Sequence, residues 1–458
     1  MDGNDYAVKF IQTLKLEKVP SSVVRHAKVC LLDLVGASIA GADAKGARIL
    51  SDFCSREMKG TAEATVIGMK GKVSCVAAAL VNGFVANALD IDDGYRKIKG
   101  HPGAAVFPTV LALSEKIGVR GKEFLEALII GYEIGIRAGE ILHGHYGFYH
   151  GSGSWGAIAS AAAGSRLLKL SGEQTKNALG IAEAYAPLIP EIRAVEHPAM
   201  APKDGINWGA MVGTSATFLA QEGYTGAPSL LGDGGRNRDI FTLGKTYRMM
   251  NLYFKRYPCC RWAHPAIDGI LAIMAKERLG YREISGITVR SFSEAASLFS
   301  TPPTSMENAE YNLCYPVAAA AIYGEFTPKY LQQEYFRDRK IVQLMKKMQV
   351  VKDPAIQKEF PARCLGEVEM LTTRGRRYRS GVIAAKGDYD YPVSEGELEE
   401  KFLLMTRDRL GEKRAIRCMK LVKEFERHRT KDLIDFLTLR SRNQKGEVFK
   451  KHRMSNSE

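Results

Sequence analysis

Apolar residues recur at helical spacing through most of the first 260 positions. The run at 23–40 follows Pro20-Ser21-Ser22, a combination that predicts a helix start. The same period returns at 73–89 and again at 121–142. Residues 156–170 and 173–184 predict a helical hairpin joined at Ser171-Gly172, and 208–222 predict a further helix ended by Gly223. The period changes after about Arg261. Residues 264–276 still predict a helix, but Ile287 and Val289 alternate as they do in a strand, and a further strand is expected to begin at Val350-Val351. Helix is predicted at 315–323 and 329–348. Residues 367–372 and 378–384 flank Thr373-Arg374-Gly375 and predict a β-hairpin. From Ser394 onward the pattern is helical again.

The fold predicted is therefore mainly α, with a large all-helical domain over 1–264 and a smaller α+β domain over 265–394. Residues 395–441 are expected to pack back on the first domain, and 442–458 to form a basic, flexible tail. Stretches rich in Ala, Gly and Ser, such as 151–164, predict helices in close contact.

Composition narrows the class. The chain has 458 residues, 45% hydrophobic and 25% charged, which suits a folded protein of more than one domain. The N-terminus has no basic segment followed by an apolar one, so no signal peptide is read there. No apolar run approaches the roughly 18–20 residues of a membrane span, and a cytoplasmic location is expected. The eight cysteines are scattered and contain no C-x-x-C, which argues against a zinc ribbon or a local iron–sulfur ligand set. Net charge is +14, much of it in the C-terminal third. Aromatics are not interleaved with the basic runs, so a solvated basic surface is expected and a nucleic-acid or membrane partner is not.

Four segments carry residues suited to chemistry. The first holds Asp90, Asp92 and Asp93, then Arg96, Lys97 and Lys99, and leads to His101-Pro102. Clustered carboxylates repel unless one is protonated or a cation joins them, so this segment is a candidate for a cap, an active site or a Mg²⁺ or Ca²⁺ site; the spacing of a calcium-binding loop is absent. The second, from Tyr149 and His150 through Ser152 to Gly156, precedes an Ala-rich helix and offers a potential anion site beside an imidazole. It lacks the Gly-Lys-Ser/Thr of a phosphate loop. The third is Lys203-Asp204-Gly205, where a lysine at a helix start opposes the helix dipole and is open to binding a carboxylate. The fourth runs from Lys255 through Tyr257, Cys259-Cys260 and Arg261 to His264, with Arg261 able to grip a carboxylate through two hydrogen bonds. The cysteine pair is read as packing.

Taken in this order, the segments resemble the MmgE/PrpD family, which includes 2-methylcitrate dehydratase, cis-aconitate decarboxylase and iminodisuccinate epimerase. The motifs that carry the resemblance are Asp90-x-Asp92-Asp93 with His101-Pro102, His150-x-Ser152-Gly153-Ser154-x-Gly156, Lys203 before Gly205, Tyr257-Pro258-x-x-Arg261-x-x-His264-Pro265, and Tyr311-x-x-x-Tyr315-Pro316. The resemblance implies a helical domain beside a smaller α+β domain, a site between them, a homodimer, and no metal or organic cofactor. It carries pocket roles onto Asp90, His101, His150, Lys203, His264 and Tyr315. Arg261, Tyr149, Ser152 and Asp93 are expected to bind substrate. One departure stands out: decarboxylase-type members have Thr where this chain has Gly94, and the loop over 95–100 is longer and adds cations.

The reaction expected is proton abstraction next to a carboxylate in a small di- or tricarboxylic acid. His101 or Lys203 would serve as base and His150 or His264 as acid, with cations stabilising the developing charge. Dehydration ranks first, then epimerisation, for which Tyr149 would suit as an opposing acid, then decarboxylation. A non-catalytic anion or nucleic-acid binder is the rival of another class.

Overall fold

The computed structural model describes residues 2–201, 203–233 and 238–438, so the expected tail at 442–458 lies outside the described residues. The first 260 residues form helices α1 (Gly3–Thr13), α2 (Ser21–Gly41), α3 (Lys45–Glu57), α4 (Cys75–Asn87), α5 (Pro102–Ile117), α6 (Gly121–His145), α7 (Gly153–Leu167), α8 (Gly172–Tyr185), α9 (Ile192–Glu196) and α10 (Ile206–Gln221). Helix α7 is the axis of the bundle. Its residues from Gly153 to Ser165 are all buried, with α6, α5, α8 and α10 around it. Small residues permit this: a Cβ on Gly209 of α10 would meet backbone atoms of Gly153, and one on Gly213 would meet Ala157 and Ser160. The Ala/Gly/Ser pattern thus has the packing consequence expected of it.

Helix α5 begins at His101-Pro102, with Pro102 at a first-turn position where its missing N–H costs nothing. Two short strands, β1 (Ala64–Thr65) and β2 (Lys72–Val73), pair with each other; β3 (Gly94–Tyr95) and β4 (Leu252–Tyr253) pair antiparallel, Gly94 opposite Tyr253. That second ribbon ties the Asp-rich loop to the segment leading into Lys255.

After α11 (His264–Glu277) the chain builds a mixed sheet from β5 (Ile284–Ser291), β6 (Met348–Lys352), β7 (Leu365–Thr372), β8 (Arg377–Arg379) and β9 (Ile383–Ala384). Strand β5 lies between β6, to which it is parallel, and β7, to which it is antiparallel; β8 and β9 both pair with β7. The single helix predicted at 329–348 is instead three short ones, with a fresh start where Asp338 accepts the Lys340 N–H at 2.8 Å. The later helices Glu395–Leu410 and Glu412–Lys423 return to α2, where Phe402 and Met405 press on Gly36. Lys401 reaches further: its ammonium donates to Asp33 at 2.5 Å and to the Ile91 carbonyl at 2.7 Å, fixing the Asp-rich loop from behind. No helix among the described residues is long and apolar enough to cross a membrane.

Candidate active site

A narrow cavity of about 60 Å³ lies where the helical bundle meets the α+β part. The bundle supplies Asp90, Lys99, His101, Glu191, Asp204, Tyr253 and Lys255, and the α+β side supplies Arg261, Trp262, Tyr311 and Phe360.

His101 is the best-anchored side chain on its wall. The tight turn at Asp90, whose φ is 48°, bends the chain so that Asp92 and the Asp93 carbonyl each come within 3.0 Å of His101 Nδ1. Asn87 donates to Asp92 at 2.9 Å, and Ser152 Oγ accepts the His101 backbone N–H at 3.0 Å. The ring is held on one side, and Nε2 faces Asp90 at 3.4 Å and Asp204 at 3.8 Å. Burial alone would favour the neutral ring, but Asp92 outweighs it and raises the His101 pKa to about 9. Asp92 is correspondingly held below the usual carboxylate range: burial works against its charge, and His101 prevails.

Asp90 bonds Lys255 at 2.5 Å, and both are buried. Burial would lower the lysine pKa; Asp90 more than offsets this and raises it. Arg261 pairs with Asp388, and its guanidinium lies 4.4 Å from the Tyr253 ring centroid. Lys99, from the longer loop, makes no ion pair among the described residues. Its ammonium sits 3.6 Å from the Tyr149 ring centroid and 4.7 Å from that of Phe360, and burial lowers its pKa. Asp90, Asp92 and His101 each offer an atom within 4.8 Å of the others, close enough for a metal. Their present partners are Lys255, Asn87 and both nitrogens of one imidazole, which is the geometry of a hydrogen-bonded proton path rather than a donor set converging on an ion.

The structure distributes the other residues singled out in the sequence. Lys203 is buried behind the wall, donating to Glu310 at 2.5 Å and to the Ala88 carbonyl at 2.8 Å. His264 sits against Tyr257 with Nε2 3.3 Å from the Cys259 carbonyl, and burial holds its pKa well below the ordinary value. His150 stacks on His143, whose Nε2 accepts its backbone N–H at 2.9 Å; both ring nitrogens of His150 are buried without a partner. Tyr149 and His143 line a neighbouring open hollow. Two expectations need correction on geometric grounds. Tyr315 donates to the Tyr330 carbonyl at 2.6 Å and packs on Phe326 and Phe336, inside the α+β core. Asp93 turns away from the cavity, accepting from Tyr132 and from the Gly103 N–H at 3.0 Å, with burial raising its pKa to about 7.

The Gly/Ser turn before α7 is not an open anion site either. Gly151 donates to the Ile189 carbonyl at 2.7 Å and Gly153 to the Asp204 carbonyl at 2.8 Å, so these N–H groups grip protein backbone. Lys255 and Asp204 line the cavity although the sequence motifs point to their neighbours Arg261 and Lys203, and Glu191 and Tyr253 line it without standing in any of those motifs. An available signal was a lysine directly after the apolar run Leu252-Tyr253-Phe254, and an Asp-Gly turn at a helix start.

This fold and this imidazole-centred cavity go with two matches in known sequences. Residues 7–247 match the MmgE/PrpD N-terminal domain and residues 257–425 the MmgE/PrpD C-terminal domain. The chain belongs to the MmgE/PrpD family. Among curated relatives it is similar to the cis-aconitate decarboxylase-like protein oryM of Aspergillus oryzae, at 24% identity over 434 residues covering 86% of this chain and 88% of that one. It is also similar to the cis-aconitate decarboxylase of Homo sapiens, at 24% identity over 445 residues covering 91% and 90%. A third relative is the cis-aconitate decarboxylase of Aspergillus terreus, 26% identical over 284 residues, 56% of this chain and 57% of that one.

Proposed function

We propose that the chain is a cofactor-independent lyase that moves a proton next to a carboxylate in a small di- or tricarboxylic acid, with dehydration as the outcome. The observation that carries the reading is His101: clamped at Nδ1 by Asp92, it presents Nε2 to a narrow cavity that Lys99, Lys255 and Arg261 also line. Membership of the family and the activities for which the relatives are named support lyase chemistry on such an acid.

In this reading Lys99 and Arg261 hold substrate carboxylates, and Lys255 with its neighbours steadies the negative charge that develops when the α-proton leaves. His101 works as acid rather than base, reversing the sequence expectation. A ring with its pKa raised to about 9 is charged at neutral pH and can hand its Nε2 proton to a departing hydroxyl. Decarboxylation is the second reading, favoured by the names of the relatives. Epimerisation with Tyr149 as opposing acid has less support, because Tyr149 lies under Lys99 and outside the cavity.

The test is proton NMR in deuterated water with citrate, 2-methylcitrate, cis-aconitate, tartrate and iminodisuccinate. Turnover of one acid, lost in His101→Gln, is expected. Salt-sensitive nucleic-acid binding with no change in any acid would favour the rival binder instead. A homodimer belongs to the same proposal. Trp208 and Leu219 lie exposed on one face of α10, and Tyr185, Leu188 and Tyr224 are exposed too; sedimentation would read the assembly directly.

A further inference from the structure

Asp204 is the cavity's unused carboxylate. It is buried, its Oδ2 has no hydrogen-bond partner, and it lines the same wall as His101. Burying such a group without a partner is costly, so its position has to be enforced. The enforcement is visible in the backbone. Asp204 has φ of 52° and Gly205 of 61°, a conformation that turns the chain sharply into α10. Gly153 donates to the Asp204 carbonyl at 2.8 Å, and a Cβ on Gly151 would come within 2.8 Å of the same oxygen. The glycine turn before α7 therefore holds this residue in place. Glu191 lines the cavity as well, with its Oε2 also buried and unpartnered.

We infer that Asp204 is the base that removes the α-proton, and that it works opposite His101 on a β-hydroxy acid. The inference rests on the lyase reading and deepens it. The Asp204 carboxylate takes the α-proton, the C–H electron pair becomes the carbon–carbon double bond, and the C–O bond breaks. His101 Nε2 gives its proton to the departing hydroxyl, which leaves as water. Asp204 is then protonated and His101 neutral; returning the proton across the 3.8 Å between Asp204 Oδ2 and His101 Nε2 restores both. Burial raises the Asp204 pKa, which makes it a stronger base than a surface aspartate, while the His101 ring opposes the rise. Burial and the neighbouring Asp204 push the Glu191 pKa well above the carboxylate range, and Glu191 lines the same cavity.

The experiment compares wild type with Asp204→Asn, a residue that tolerates positive φ, and Asp204→Gly, which removes any strain there. Tricarballylate, an unreactive tricarboxylate, reports binding by calorimetry, and NMR on the hydroxy acids reports turnover. Both variants should bind tricarballylate at least as tightly as wild type, since a negative charge has been removed. Turnover should fall by roughly 10²–10⁴-fold, the usual worth of a general base. Turnover within threefold of wild type in both variants, with His101→Gln inactive, would overturn this inference and leave the lyase reading standing. Absence of tricarballylate binding to wild type would bring down that reading and the inference with it.

Discussion

Gly94 and the ring of Tyr253 share one space. The two residues face each other across the β3–β4 ribbon, and a Cβ on Gly94 would fall within the van der Waals envelope of Tyr253 Cζ and Oη. Arg261 covers the face of the same ring, so Tyr253, which lines the cavity, is fixed from two sides. Gly94 thus leaves free the space that the Tyr253 ring fills.

A side chain at 94 should accordingly be destabilising while Tyr253 is present. Gly94→Thr is expected to cost about 1–3 kcal/mol, the usual range for overpacking a filled site. Adding Tyr253→Ala should recover much of it, so that the two changes are non-additive in a denaturant-melt cycle. Additive losses would mean that the two residues do not compete.

The pH profile should report His101. Its pKa is raised to about 9, above the ordinary 6.5, so the stabilising Asp92–His101 contact is fully present below about 6.5 and is lost as pH rises through about 9. An enzyme that needs the charged ring loses activity over the same upper range. Asp92→Asn can still accept a hydrogen bond but carries no charge, so the descending limb should move to lower pH. An activity that instead rises through pH 9 would make His101 a base.

What the sequence could and could not disclose follows from how each feature arises. The helix starting after Pro20 was legible because its first turns keep polar residues, Ser21, Ser22 and Arg25, in water beside buried Val23 and Ala27. Helix α5 was not: from Pro102 to Ser114 every residue is buried, and Pro108 interrupts the interior, so neither a polar stripe nor a clean run marks it. Asp90 and His101 stand close in sequence, and both line the cavity. Lys255 and Asp204 reach the cavity only through the β3–β4 pairing and the Asp204-Gly205 turn, which are tertiary facts. Tyr315 misled because a buried tyrosine in a recognised motif looks the same in sequence whether its hydroxyl meets substrate or the carbonyl of Tyr330.

Activity should survive a chelator. The cluster of Asp90, Asp92 and His101 is already satisfied by Lys255, Asn87 and its own internal bonds, and an added cation would have to displace the Lys255 ammonium at 2.5 Å. Dialysis against EDTA, with bound metal measured by elemental analysis, is expected to leave turnover unchanged. Loss of activity that Mg²⁺ or Mn²⁺ restores would revive a metal mechanism.

Two buried lysine–carboxylate pairs, Lys203–Glu310 and Lys255–Asp90, should separate structure from chemistry. Lys203 bonds Glu310, whose pKa is pushed up to about 8 chiefly by burial, and it also holds the Ala88 carbonyl, so it positions the Asp90 loop without reaching the cavity. Lys255 and Asp90 form the other pair and do reach it. Removing Lys255 leaves the Asp90 carboxylate uncompensated, and Lys255→Met should cost about 3–5 kcal/mol; Lys203→Met leaves Glu310 a buried acid short of a hydrogen-bond partner and should cost about 1–3 kcal/mol. Neutralising the partner as well should restore most of that stability in both cases. Lys203→Met with Glu310→Gln is then expected to retain at least tenfold more turnover than Lys255→Met with Asp90→Asn, because only the second double variant strips charge from the reacting face. An equally deep loss of turnover in the two stable double variants would place Lys203 in the chemistry after all, with its contact to Glu310 broken when substrate binds.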